Sequence, residues 1–252
     1  GKVAVKLHSG EPGNQNFIRP DLMKPMIQAV NGTIVECNTA YAGRRNTSEA
    51  HWQTFKDHGF ADIAPCDRMD EDGDMALPIT GGKRIHENFV GRNLANYDSM
   101  LMLSHFKGHP MAGLGGALKN MSIGVASARG KQWIHTSGSG ATSFDALMNS
   151  DHDGFLESMA DADQSVMAYM GTKNIVYINV ANRLSVDCDC CAAPADPEMM
   201  DIGIFASLDP VAVDQACVDA VYASKDQGKA ALIERMESRN GVLTIQAAEN
   251  LS

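Results

Sequence analysis

Apolar residues in this chain fall into two kinds of run. Short blocks rich in Val and Ile end abruptly on a polar residue, and longer stretches repeat apolar positions every three to four residues. Val3–Leu7 and Thr33–Cys37 are of the first kind and predict buried strands that stop at His8 and Asn38. Met100–Leu103, Lys173–Val180 and Ile202–Ala206 continue the series, the first ending at Ser104 and His105. The pairs Ala76–Ile79 and Lys83–His86, split by Thr80-Gly-Gly82, predict a hairpin.

Helical periodicity covers Pro20–Val30, with Pro20 in the first turn and Pro25 as a kink, and Gly154–Met170, Val211–Ala223 and Gly228–Ser238. Thr47 is placed to cap a helix reaching His58, with Gly59 as its stop. Strands alternating with helices predict a layered α/β fold, a largely parallel central sheet flanked by helices, over one domain spanning 1–252. The segment Thr136–Ser143 reads as a flexible loop, and the acidic run Asp67–Asp74 as a solvated turn.

Composition then narrows the function classes. The chain has 252 residues and a formal net charge of −10, which disfavours nucleic-acid backbones and anionic membranes as partners. No run is long enough for a membrane helix. Six cysteines are too few for a disulfide scaffold and point, with reduced thiols, to the cytoplasm. The chain begins on Gly rather than Met, as a processed or tagged fragment would. Cys37, Cys66 and Cys217 read as buried thiols, whereas Cys188, Cys190 and Cys191 crowd together beside Asp187 and Asp189.

Candidate chemistry gathers at the predicted strand ends. His8, Asn38, His105 and Asn182 each follow a strand, and ligands of parallel α/β sheets bind beyond those ends. Within Ser104–Asn120, His105 and His109 are candidate metal ligands, although Gly108 and Pro110 argue against a helical metal motif. Gly113, Gly115 and Gly116 allow close backbone approach to a cofactor or anion. A helix starting near Ala117 would offer free N–H groups, with Lys107, Lys119 and Asn120 as further contacts. Cys188 and Cys190 are soft ligands for a transition-metal ion, and Asp187 is a candidate acid or base beside His105 and Lys107. Asp209 before Pro210 predicts a helix cap, with Asp214 one turn on.

These stretches resemble a known family, the domain of unknown function 362, whose members are often labelled uncharacterised Fe–S centre proteins. The resemblance rests on Val5-Lys-Leu-His8 with Gly10-Glu11, on Asn38–Arg44, and on Ser104–Asn120 with Ser122-Ile-Gly124. Gly130-Lys131 with His135, Asp187-Cys-Asp-Cys190 and Asp201–Gln215 complete it. Many members carry a ferredoxin-like insertion shortly after the histidine matching His135. This sequence has Thr136–Ser143 there and no Cys-x-x-Cys run, so no four-iron cluster is expected. The expectation is an enzyme using a metal ion in the cleft on a small anionic substrate, served by a redox partner protein if the chemistry is redox. The alternative is a non-catalytic carrier of an anionic small molecule.

Overall fold

Strand β1 (Val3–Lys6) is followed by β2 (Thr33–Glu36) and β3 (Cys66–Arg68), then by a hairpin of β4 (Asp74–Pro78) and β5 (Glu87–Gly91). Next come β6 (Ser99–His105), a small hairpin of β7 (Lys107–His109) and β8 (Gly113–Gly115), and finally β9 (Ile175–Ala181) and β10 (Gly203–Ser207). The computed structural model describes every residue except 144, 147, 148 and 252. Six strands form the central sheet in the order β10-β9-β6-β1-β2-β3, parallel throughout except for β10 against β9. The fold is therefore mixed α/β with a mostly parallel six-stranded sheet.

Helices cover both faces of that sheet: α1 (Pro20–Ala29), α2 (Ser48–Asp57), α3 (Ala117–Val125), α4 (Ala128–His135), α5 (His152–Met170), α6 (Pro210–Ala223), α7 (Lys229–Ser238) and α8 (Leu243–Glu249). The alternation of β6 shows why its sequence is an unbroken apolar run. Met100 and Met102 pack with Met121 and Val125 of α3, while Leu101 and Leu103 pack with Met23 and Ile27 of α1. Each such side chain, fully buried, contributes about 1.5–3 kcal/mol. No helix among the described residues is long and apolar enough to cross a membrane.

Three local expectations differ from what is observed. The hairpin's second strand is Glu87–Gly91 rather than Lys83–His86, because the Asp161 carboxylate accepts the backbone N–H groups of Lys83, Arg84 and Ile85 at 2.9, 2.7 and 3.0 Å. That carboxylate holds the segment as a loop. The start of the acidic run is not a turn: Asp67 and Arg68 pair with Val35 and Glu36 as an edge strand. Finally, α4 and α8 are not among the predicted helices.

Two helix starts form as their sequences dictate. Thr47 accepts the Ala50 N–H at 3.3 Å, and Asp209 accepts those of Val211 and Ala212 at 2.8 and 3.2 Å.

Candidate functional site

The chain runs from β1 outward through β2 to β3, then returns to the other side of β1 to lay down β6. That reversal splits the carboxyl ends of β1 and β6 and opens a crevice there. A cavity of about 230 Å³ occupies it, lined by Lys6, His8, His105, Lys107, Lys119 and Lys131 among others. Asn120 on α3 pins its floor, its side chain donating to the Lys6 carbonyl and to Ser104 Oγ at 3.1 and 3.0 Å. Of the four polar strand ends, His8 and His105 line the cavity. Asn38 instead meets His51 and Ser48, and Asn182 offers its backbone carbonyl to His105.

The small β7–β8 hairpin brings His109 against the cysteine segment. Gly108 donates its N–H to the Ser185 carbonyl at 2.8 Å, and any Cβ there would collide with the Val186 backbone. Only glycine lets the two backbones lie this close. The cysteine segment is braced by Asp187, which accepts from Arg235 at 2.9 Å and from the Ala195 N–H at 3.0 Å, and by Asn14, which donates to the Cys191 carbonyl at 2.8 Å. Asp187 thus faces Arg235 and does not line the cavity.

The outcome is a compact donor group. One ligand atom each from His109, Cys188 and Cys190 lies within 4.8 Å of the others, and Cys190 Sγ is 3.9 Å from His109 Nε2. His109 Nδ1 accepts the N–H groups of Met111 and Ala112 at 3.1 and 2.9 Å, so the ring hydrogen sits on Nε2, toward the sulfur. The three donors are therefore unequal. Each donor must lose a hydrogen to bind a cation, the thiols by ionising, but only Nε2 must in addition free two backbone donors. The set fits a soft or borderline ion such as zinc.

Burial, ahead of the nearby Lys119 charge, lowers the His109 pKa to about 4. A hydrogen bond with Cys190, together with burial, raises the Cys188 thiol. For Cys190 a bond from Cys188 works downward, but Cys191 and burial outweigh it and the net shift is upward. Cys191, half-exposed, is lowered by its bond with Cys190.

His105 is absent from that group. Its Nδ1 meets both Asp189 oxygens at 2.9 Å and its Nε2 meets the Asn182 carbonyl at 2.6 Å, so no lone pair is directed at an ion. Lys107 completes the cluster with Nζ 3.0 Å from Asp189. Burial opposes the Asp189 carboxylate, yet His105 and Lys107 hold it well below the usual range. Burial also opposes the Lys107 ammonium, and Asp189 with the two thiols raises it overall. A second buried cluster joins Arg45 to Glu11 at 2.8 Å and to Glu36 at 3.5 Å, with His51 on Glu36 at 3.2 Å. The Arg45 guanidinium also reaches His8 Nε2 at 3.3 Å.

The glycine segment does not present the free helix end that its sequence suggests. Asp214 on α6 accepts the Ala117 and Leu118 N–H groups at 2.7 and 3.0 Å, so an internal carboxylate already fills the start of α3. A Cβ at Gly116 would collide with that carboxylate. Burial lifts the Asp214 pKa to about 6 despite these donors. Gly115, Gly116, Lys119 and Asn120 line the cavity, while Gly113 packs against Gly241.

Two more cations and one imidazole enter from places the sequence reading left unassigned. Lys6 points from β1 with Nζ on the Leu7 carbonyl at 2.6 Å and Asn120 Oδ1 at 2.9 Å, and Lys131 of α4 donates to the Ala126 carbonyl at 2.5 Å. A turn further, His135 donates Nδ1–H to the Lys131 carbonyl at 2.6 Å, which leaves Nε2 as the lone-pair nitrogen of a cavity-lining ring. Burial holds the His135 pKa at about 4. One signal was visible in advance: a lysine inside Val3-Ala-Val-Lys-Leu7 must bury its charge or aim it at a cleft. Lys131 and His135, four apart on one helix face, were the other.

A family model described as a domain of unknown function (DUF362) matches residues 3–219. The chain belongs to that family. A search of curated proteins finds no match. Among solved structures, the lactate racemase apoprotein from Thermoanaerobacterium thermosaccharolyticum aligns at a TM-score of 0.51 and 13% identity, over 87% of this chain and 48% of that one. A structural-genomics protein from Thermotoga maritima aligns at a TM-score of 0.48 and 10% identity, over 87% and 54%. The chain spans about half the length of the structures it matches, and at these identities the likeness is one of fold.

Proposed function

We propose that this DUF362 protein is a metal-dependent enzyme acting on a small anionic substrate in the cleft at the ends of β1 and β6. The observation that carries this reading is the meeting of two thiols and an imidazole within 4.8 Å beside that cavity. Cys188 and Cys190 are the first ligands, with His109 joining once its ring releases Met111 and Ala112. A bound ion there would supply Lewis-acid or redox character, the latter with a separate partner protein as electron donor. Around it the chain's own residues divide the work. His105 and Lys107 fix Asp189 and so set the position of the cysteine segment. His135 Nε2 offers a hydrogen-bond or proton acceptor inside the cavity, a role the geometry favours over Asp187. A fold shared with the apoprotein of a lactate racemase supports an enzyme's cleft over a carrier's.

Equilibrium dialysis of the reduced protein against zinc, followed by elemental analysis, tests this reading. One ion per chain is expected in the wild type and none in a Cys188→Ala, Cys190→Ala double variant that keeps its circular-dichroism spectrum. Equal zinc uptake by both proteins would remove the assignment.

A further inference from the structure

Three lysines of the cleft make no ion pair with any described residue. Lys6 is 1% exposed and Lys131 8%, and both donate only to neutral oxygens. Lys119, part-buried, has no hydrogen-bond or ion-pair partner among the described residues. Lys107 differs, being paired with Asp189, as does Arg45, paired with Glu11 and Glu36. Glu36 and Asp70 are felt by Lys6 and Lys131 only through space and make no ion pair with them. An ammonium has three hydrogens to donate, so Lys6 retains one, Lys131 two and Lys119 three. A buried charge left so is costly unless an anion answers it.

We propose that Lys6, Lys119 and Lys131 form a recognition site for a doubly charged oxygen group on the substrate, a phosphomonoester or a dicarboxylate. This names the substrate class within the enzyme reading above and rests on it for the word substrate. The count of charges favours a dianion, which answers two of the three ammonium groups where a monocarboxylate answers one. Lysine rather than arginine suits a site that answers charge without imposing a planar two-pronged geometry. Lys119 lies within electrostatic reach of His109 and Cys188 on one side and of His135 on the other. An anion held there is thus placed beside the thiols and the free imidazole nitrogen together.

The test is calorimetric titration of the full chain at fixed ionic strength with inorganic phosphate, malonate and acetate. Saturable binding of phosphate or malonate is expected, at least tenfold tighter than acetate, and the stronger of the two names the group. Lys119→Met and Lys131→Met should each weaken it at least tenfold while zinc uptake stays at the wild-type level. Lys119 is part-buried and bonded to nothing described, so its variant stays informative if Lys131→Met fails to fold. The Cys188→Ala, Cys190→Ala double variant should still bind the anion. Absence of saturable binding, acetate binding equal to malonate, or unchanged binding in Lys119→Met overturns the site and leaves the metal reading standing. Loss of zinc binding with lysine-dependent anion binding intact would instead overturn the metal reading alone.

Discussion

Two kinds of buried charge cluster flank the same cleft and are built on opposite principles. Around Asp189 and Glu36 every carboxylate is answered: His105 and Lys107 hold the first, and Arg45 and His51 the second. Around Lys6 and Lys131 the cations meet only carbonyl and amide oxygens. A balanced cluster is complete in the folded chain and serves to position backbone, here the cysteine segment and the end of β2. An unbalanced one is complete only with something from outside. The difference separates scaffold from binding site more sharply than residue type does, since lysine appears in both.

Breaking a balanced cluster should give the largest effect. Asp189→Asn leaves Lys107 buried without its counter-ion, and Glu36→Gln takes the carboxylate from His51 and leaves Arg45 with Glu11 alone. Each should cost about 3–5 kcal/mol, a fall in Tm on the order of 10 °C by calorimetry. Burial opposes the Glu36 carboxylate, but its bond to His51 and the Lys6 and Arg45 charges hold it well below the usual range. Its contribution is therefore present at neutral pH and lost as pH falls below the ordinary carboxylate range, and the Gln variant should lose that part of the acid destabilisation.

The unbalanced cluster also gains stability as pH rises, but in the alkaline range and because its charged form is the costly one. Burial lowers Lys6 from 10.5 to about 8, with Glu36 pulling the other way. Between those pH values the unfolded chain binds the proton and the folded chain does not, so stability contributed by this group rises with pH. The rise is roughly 3 kcal/mol across the window. Denaturation of wild type and Lys6→Met at pH 8 and at pH 10.5 reads it as a difference that shrinks or reverses.

The donor group sharpens the comparison further. His109→Ala should weaken zinc binding only on the order of tenfold, since its ring gains a ligand bond while losing two backbone bonds. Cys188→Ala should weaken it far more. Competition with a chromophoric chelator orders the two variants, and equal losses would contradict the inequality of the donors. The smallest effect is expected at Asp214, which closes the start of α3 and accepts the Asn179 side chain at 2.6 Å, bonds an amide oxygen can partly keep. Asp214→Asn should cost about 1 kcal/mol, the worth of a helix cap, in urea denaturation.

The sheet was largely legible in the sequence, because strands buried on both faces are continuous apolar runs with sharp polar ends. Strand β3 was not, since an edge strand of Cys66, Asp67 and Arg68 has no apolar pattern and takes its identity from pairing with β2. At the site, the cysteine and histidine segments were recognisable by residue type, but their meeting depends on a glycine contact between Gly108 and Val186 that spacing does not encode. Asp187 and Asp189 look equivalent in sequence. Only the fold turns one toward Arg235 and the other toward His105 and Lys107. The occupied helix start was likewise hidden, because Asp214 approaches it from α6, nearly a hundred residues away in the chain.

The most direct test of the metal centre is a cobalt(II) titration of the reduced protein followed by absorption spectroscopy. A metal centre at Cys188 and Cys190 gives thiolate-to-cobalt charge-transfer absorption that saturates at one ion per chain and is abolished by Cys188→Ala with Cys190→Ala, while Cys37→Ala leaves it intact. A wild type with all its thiols reduced that shows no such absorption, or a double variant that keeps it, would contradict a metal centre at Cys188 and Cys190.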